Sequence, residues 1–169
     1  MIPIASATPA FDPEEFFKWA SATVQKSTNA EAELRSVVSR AYYSVLLTAR
    51  DALFGGVDAP ELTSKMRDKL RKRYARGMKT SRGPGSHDII LAAAAEAGLK
   101  SRMVVSQQQL VWLETARVAA DYYRVPGNYQ QLPVQITSWL QFAHDSVALA
   151  SNLLPSVKRL PRFRSVVII

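Results

Sequence analysis

The sequence of 169 residues contains no cysteine and only two histidines, His87 and His144. The absence of cysteine excludes disulfides, thiolate metal sites and cysteine nucleophiles, and it is typical of proteins in a reducing compartment. Two histidines are too few for a histidine-rich metal site, and no phosphate-binding glycine loop or zinc-protease motif occurs. We therefore expect no metal, no cofactor and a cytoplasmic localisation.

Long apolar segments are also missing from the chain. No window holds the roughly 18 uninterrupted apolar residues of a membrane span, so we expect no contact with a membrane interior. Residues 1–10 lack the basic start and the full apolar stretch of a signal peptide. The hydrophobic fraction of 47% is ordinary, and the length predicts one globular domain.

The net charge of +8 is concentrated in one short segment of the chain. Residues 65–82 contain nine basic residues and one acidic residue, Asp68. The remaining 13 basic and 13 acidic residues of the chain cancel in charge. The nine are Lys65, Arg67, Lys69, Arg71, Lys72, Arg73, Arg76, Lys79 and Arg82. A field of this kind attracts a polyanion such as nucleic acid. The alternative is a solvated helix face that only confers solubility.

Capping signals and apolar periodicity predict an all-α protein. We predict an up-and-down antiparallel bundle of four to five main helices within residues 1–155, followed by a basic and then apolar tail, 156–169. A basic helix and a small alanine-rich helix form an insertion on one side. The predicted helices cover 13–26, a stretch from the Thr28 capping box to Phe54, a basic stretch after Asp58, 87–97, a stretch from the Ser106 capping box to about 124, and 133–155.

Two of these helices carry polar groups that packing does not require. In the second helix, Arg40, Tyr43 and Arg50 lie on one stripe beside the apolar one. In a later helix, Arg117 has Glu114 three residues before it and Asp121 four residues after it, both within reach on a helical surface. The simpler interpretation is a ladder of surface ion pairs with tyrosines at the edge of the core.

Three short motifs in this order resemble the HEPN family (higher eukaryotes and prokaryotes nucleotide-binding). They are Arg-Ala-Tyr-Tyr at 40–43, Gly-Ser-His at 85–87 and Ala-Arg-x-x-Ala-Asp-Tyr at 116–122. The resemblance covers about residues 12 to 155 and implies a HEPN-like helical bundle, which is usually a homodimer. It also implies an RNA- or nucleotide-linked role, often as the toxin half of a toxin–antitoxin pair beside a nucleotidyltransferase.

Many HEPN proteins are metal-independent ribonucleases with an Arg-x(4–6)-His motif. A histidine can move a proton at the ribose or at the leaving oxygen, and an arginine can hold the phosphate. Two segments resemble that motif, one from Arg82 to His87 and one from Arg117 to Tyr122, where tyrosine replaces the histidine. A tyrosine with a pKa near 10 is a poor base at neutral pH.

The sequence therefore gives two hypotheses. The first is a HEPN-type RNA- or nucleotide-associated protein, as an endoribonuclease toxin with candidate catalytic residues Arg82, His87, Arg117, Asp121 and Tyr122. The second is a non-catalytic dimeric module that binds RNA or a partner such as a nucleotidyltransferase. The candidate RNA-binding residues are Arg40, Tyr43, Arg50, Lys69, Arg71, Lys72, Arg73, Arg76 and Lys79.

Overall fold

The computed structural model describes residues 12–26, 30–55, 86–103, 105–122 and 138–162. Within these ranges the chain forms helices and no strand, which confirms the all-α prediction. The helices are α1 (Pro13–Gln25), α2 (Glu31–Phe54), α3 (Ser86–Lys100), α4 (Gln107–Tyr122) and α5 (Trp139–Val157). The basic segment of residues 65–82 and its predicted helix lie outside the described residues.

Local capping explains where several helices begin. The Asp12 side chain accepts a hydrogen bond from the Glu14 amide, with Pro13 in the first turn, as the sequence predicts. Ser106 and Gln109 form the predicted reciprocal capping box at the start of α4. The start of α2 differs, because its N-cap is Ala30 and makes no side-chain capping bond. The predicted cap Thr28 lies outside the described residues.

The ends of the helices show where local signals are decisive and where they are not. Gly55 ends α2 with a left-handed φ of 76°, a conformation that glycine adopts without steric cost. Gly98 does not end α3, which continues to Lys100. Pro155 does not end α5 either, since the helix continues to Val157. A proline near a helix end removes only one backbone bond, and surrounding packing tolerates it there.

Helix α2 is the central element, because it packs against all four other described helices. Its buried residues include Val37, Val38, Ala41, Val45 and Ala49, spaced as one helical stripe. Contacts near the ends of the helices give their relative directions. Helices α2 and α5 are parallel, because Arg35 and Trp139 meet near their starts, with the Arg35 Cζ 4.6 Å from the Trp139 ring centroid, and Arg162 contacts the Asp51 carbonyl near their ends. Residues 35, 39 and 43 of α2 contact residues 120, 121 and 117 of α4, and Glu14 at the start of α1 pairs with Lys158 after α5. These two pairs of helices are therefore antiparallel.

Two parts of the chain are packed more deeply than the sequence predicted. Helix α3 was expected to be a small insertion on one side, yet Ile90, Leu91 and Ala93 are buried in the main core. Its alanines have no large side chains, so the helix approaches its neighbours closely. Past α5, Leu160 is buried and the Arg162 guanidinium donates to the Asp51 carbonyl at 3.1 Å. Residues 156–162 therefore belong to the bundle rather than to a separate tail.

Candidate functional site

Polar and aromatic side chains from α2, α3 and α4 meet at one place on the bundle. Tyr43 lies at its centre, on the edge of the core and half-buried. Arg117 reaches it from α4 and His87 from the first turn of α3. The Arg117 Cζ lies 5.7 Å from the centroid of the Tyr43 ring, and the His87 centroid lies 5.8 Å from it. We call Tyr43, Arg117, His87 and their contacts below the tyrosine cluster.

Arg117 is held by three polar or aromatic neighbours. Its Nη2 donates to the Tyr43 hydroxyl at 3.2 Å, and its Nε lies 2.7 Å from Asp121 Oδ2. The second contact is an ion pair between groups one helical turn apart, without the alignment of a hydrogen bond. The guanidinium also lies over the Tyr122 ring, at 5.9 Å from its centroid. These contacts fix the plane of the guanidinium at the edge of the core.

Asp121 is itself oriented by α2. The Ser39 hydroxyl donates to Asp121 Oδ1 at 2.6 Å, while the other carboxylate oxygen faces Arg117. Both side chains of the ion pair are partly exposed, at 21% for Arg117 and 29% for Asp121. Water therefore screens the ion pair, so the pair positions the Arg117 side chain but contributes little to the stability of the fold.

Tyr42 connects the cluster to the core. It is 1% exposed, and its hydroxyl lies 3.3 Å from Nδ1 of His87. Its ring meets Tyr43 edge to face at a centroid distance of 5.1 Å. A buried hydroxyl needs a polar partner, so the long contact with His87 satisfies Tyr42 and fixes the imidazole beside Tyr43.

Burial and charge together shift the pKa values of two groups in the cluster. Burial raises the pKa of Tyr42 well above its usual value, and the nearby Glu114 carboxylate raises it further. The Arg117 charge opposes this shift, but burial and Glu114 outweigh it. For Arg117 itself burial lowers the pKa, yet Asp121 and the surrounding tyrosines raise it above the usual value. At neutral pH the cluster therefore combines a neutral Tyr42 with a cationic Arg117.

Arg40 lies on the α1 side of the same surface. Its Cζ is 4.4 Å from the Trp19 ring centroid and 5.1 Å from that of Phe16. Phe16 in turn lies 6.4 Å from Tyr43, centroid to centroid. Phe16 therefore contacts both Arg40 and Tyr43, and Tyr43 in turn contacts Arg117.

The structure brings together five of the residues selected from the sequence: Tyr43, His87, Arg117, Asp121 and Tyr122. Arg40 joins them through Phe16, as described above. Arg50 lies apart, because it follows Tyr43 by seven residues, about 10 Å along α2, and pairs with Asp51. The other selected residues, Arg82, Lys69, Arg71, Lys72, Arg73, Arg76 and Lys79, lie outside the described residues.

Sequence reasoning missed several members of this surface. Ser39 is an ordinary helix residue in the sequence, and only its contact with Asp121 on another helix assigns it a place. Tyr42 lies on the apolar stripe of α2, so its burial follows from helical spacing, but its polar contact with His87 does not. Phe16 and Trp19 are three residues apart, and this spacing places both on one face of α1.

The described part of the chain offers no alternative site based on a metal or a membrane span. No three histidine, aspartate or glutamate side chains within it are close enough to hold a metal ion. None of the five described helices combines the length and apolarity required to cross a bilayer.

Comparison with models of known protein families, with curated proteins and with solved structures gave no match to this chain.

Proposed function

We propose that the tyrosine cluster is an RNA-binding and RNA-cleaving site, and that the chain is a HEPN-type, metal-independent endoribonuclease. The observation that carries the proposal is that the Arg117 Cζ and the His87 ring both lie within 6 Å of the centroid of the Tyr43 ring. They come from different helices and are distant in sequence. An arginine and an imidazole near one point are the groups that phosphodiester cleavage without a metal requires.

The reaction assigns a separate task to each side chain. Arg117 binds the non-bridging oxygens of the phosphate and stabilises the charge that develops on them. His87 moves one of the two protons, accepting it from the attacking ribose 2′-hydroxyl or giving it to the leaving 5′-oxygen, and water exchanges the other; imidazole performs such transfers near neutral pH. The 2′-oxygen forms a bond to phosphorus as the bond to the 5′-oxygen breaks. The products are a 2′,3′-cyclic phosphate and a 5′-hydroxyl.

The cluster also supports His87 rather than Tyr122 as the acid–base group. Tyr122 occupies the histidine position of the motif on α4, and its side chain is 71% exposed. A tyrosine holds its proton at neutral pH and is a weak base there. His87 contacts Tyr42 through Nδ1, which fixes the ring next to Tyr43. In this proposal Tyr122 contributes a ring against Arg117 and no proton transfer.

A cleavage assay on single-stranded and structured RNA, with chelator present, tests the proposal. We expect the wild type to produce ends with a cyclic phosphate, and Arg117→Ala and His87→Ala each to reduce the rate by at least about 100-fold. His144→Ala is the matched control, since this histidine is exposed on α5 outside the cluster. Loss of activity in His144→Ala, or undiminished cleavage by His87→Ala, would refute the assignment.

The second candidate function is a non-catalytic RNA-binding module. It is favoured by one observation, namely that Arg117 already pairs with Asp121 and donates to Tyr43. In that case the wild type binds RNA in a salt-dependent manner and cleaves none of it. Arg117→Ala would then weaken binding, whereas His87→Ala would leave it unchanged.

The resemblance extends the proposal to a homodimer that acts as a toxin beside a nucleotidyltransferase. Sedimentation equilibrium should then give about twice the chain mass of 18.7 kDa. Expression of the wild type alone should arrest growth, and Arg117→Ala should relieve the arrest. A monomer, or arrest that persists in Arg117→Ala, would contradict this extension without affecting the assignment of the site.

A further inference from the structure

A continuous row of rings and guanidinium groups crosses three helices of the described structure. Its order is Trp19, Arg40, Phe16, Tyr43, Arg117 and Tyr122, with Trp19 and Phe16 from α1 and the last two from α4. Each neighbouring pair is in contact. Successive distances between centroids or from Cζ to centroid are 4.4, 5.1, 6.4, 5.7 and 5.9 Å. We call this row the stacking track.

The two ends of the stacking track are open to solvent. Trp19 is 38% exposed and Tyr122 is 71% exposed, whereas most large apolar side chains in the described residues are buried. A tryptophan left partly in water loses the stabilisation that burial would give it. An exposed ring flanked by an arginine is, however, the arrangement on which a nucleobase stacks.

Arg40 provides the second observation, because it has no anionic partner. No described residue forms an ion pair or a hydrogen bond with it, and its recorded contacts are the two rings of α1. The acids of α1 do not neutralise it, since Glu15 pairs with Lys18 and Glu14 with Lys158. Stacking fixes the plane of the guanidinium while its N–H groups remain able to bind an oxyanion.

From these contacts we propose that the stacking track binds single-stranded RNA, with a nucleobase stacked on Trp19 and an adjacent phosphate on Arg40. This inference rests on the proposed function and adds a binding site for nucleotides flanking the cleaved bond. Single strands are the class of substrate implied, because paired bases do not expose their faces to a ring. Cleavage would then depend on an unpaired nucleotide beside the scissile phosphate.

Binding should be measured with an RNA that cannot be cleaved. A 2′-O-methyl uridine octamer serves, because it lacks the attacking hydroxyl, and an abasic octamer with the same backbone isolates the contribution of the bases. We expect Trp19→Ala to weaken binding of the uridine octamer by about 5- to 100-fold and to leave the abasic octamer unaffected. Arg40→Ala should weaken both. Leu99→Ala, at a 73% exposed residue on α3, is the control and should weaken neither.

Tryptophan fluorescence gives a second measurement that does not depend on a truncated side chain. The uridine octamer should quench the emission of the wild type more than that of Trp19→Phe, which keeps a ring and most of the affinity. Equal weakening of both octamers by Trp19→Ala, or no weakening of either, would overturn the proposal. Binding of polyglutamate as tight as that of RNA would also overturn it, because charge alone would then explain the binding.

The outcomes separate this inference from the proposed function. Cleavage that depends on Arg117 and His87 but not on Trp19 would support the proposed function and overturn RNA binding by the stacking track. Base-dependent binding through Trp19 without any cleavage would support RNA binding by the stacking track and overturn the proposed function. Failure of the wild type to bind any single-stranded RNA would overturn both.

Discussion

The substitution Tyr42→Phe should change how stability depends on pH above about pH 10. Burial and Glu114 raise the pKa of Tyr42 well above its usual value in the folded protein. In the unfolded chain the same phenol ionises near pH 10. Between the two pKa values the folded state binds one proton more than the unfolded state, so stability falls as pH rises. The maximum slope for one such group is about 1.4 kcal/mol per pH unit.

The same substitution has a separate and smaller effect at neutral pH. It removes the contact between the Tyr42 hydroxyl and His87 Nδ1, which is long at 3.3 Å. A neutral hydrogen bond of this kind contributes about 0.5–1.5 kcal/mol, and phenylalanine keeps the packing of the ring. The wild type should therefore be the more stable protein at pH 8. Because ionisation of the unfolded phenol removes about 0.4 kcal/mol of this advantage by pH 10 and about 1.4 kcal/mol by pH 11, the two proteins should become equally stable at about pH 10–11.

Urea denaturation of both proteins at several values between pH 8 and pH 11 measures this difference. Subtracting one free energy of unfolding from the other cancels the other titrating groups, provided that they do not interact with Tyr42. Leu99→Ala is the control, since Leu99 is 73% exposed and carries no titrating group, and its difference from the wild type should not vary with pH. If the difference in the free energy of unfolding between the wild type and Tyr42→Phe stays constant from pH 8 to pH 11, the Tyr42 phenol is not buried and neutral in the folded protein.

Three further substitutions test the fold that positions the site. In Gly98→Ala the new Cβ would lie 2.8 Å from the Cβ of Val105 and 2.9 Å from its carbonyl oxygen. The cost of overpacking, about 1–3 kcal/mol, should therefore exceed the gain in helix propensity of up to ~1 kcal/mol. A higher thermal midpoint would contradict this. Gly55→Ala should cost about 1 kcal/mol in urea denaturation, because φ is 76° there, and an unchanged midpoint would show that α2 ends differently. Ser138→Ala removes the cap on the Gln141 amide and should cost about 1 kcal/mol, with hydrogen exchange faster in the first turn of α5.

Local chemistry determined most of the helical framework. The capping residues Asp12 and Ser106 and the terminating Gly55 act through bonds and backbone angles within a few residues of themselves, so the sequence alone predicts them. Gly98 and Pro155 have the same local character but do not end their helices. Burial of their neighbours along α3 and α5 contributes more than a single unfavourable residue costs.

Some residues of the candidate site were selected from the sequence, and others are identified only by the structure. The sequence selected Arg40, Tyr43, Arg117, Asp121 and Tyr122 as candidates, because helical spacing and the motif pattern place them on two stripes. The sequence could not show that His87 contacts Tyr42 or that Arg40 stacks on Trp19. Those contacts join residues from different helices, and no spacing within one helix encodes them.

The sequence by itself predicted that the described part of the chain is all-α and where three of its helices begin or end, and it indicated Arg40, Tyr43 and Arg117 as candidate site residues. Only the tertiary structure decided that α3 lies in the core and places His87 beside Tyr43, and that Arg40 stacks on α1 without a counter-ion. The reason is physical. Helix formation and capping depend on neighbours along the chain, whereas a site is made by side chains that only the packing of helices brings within a few ångströms.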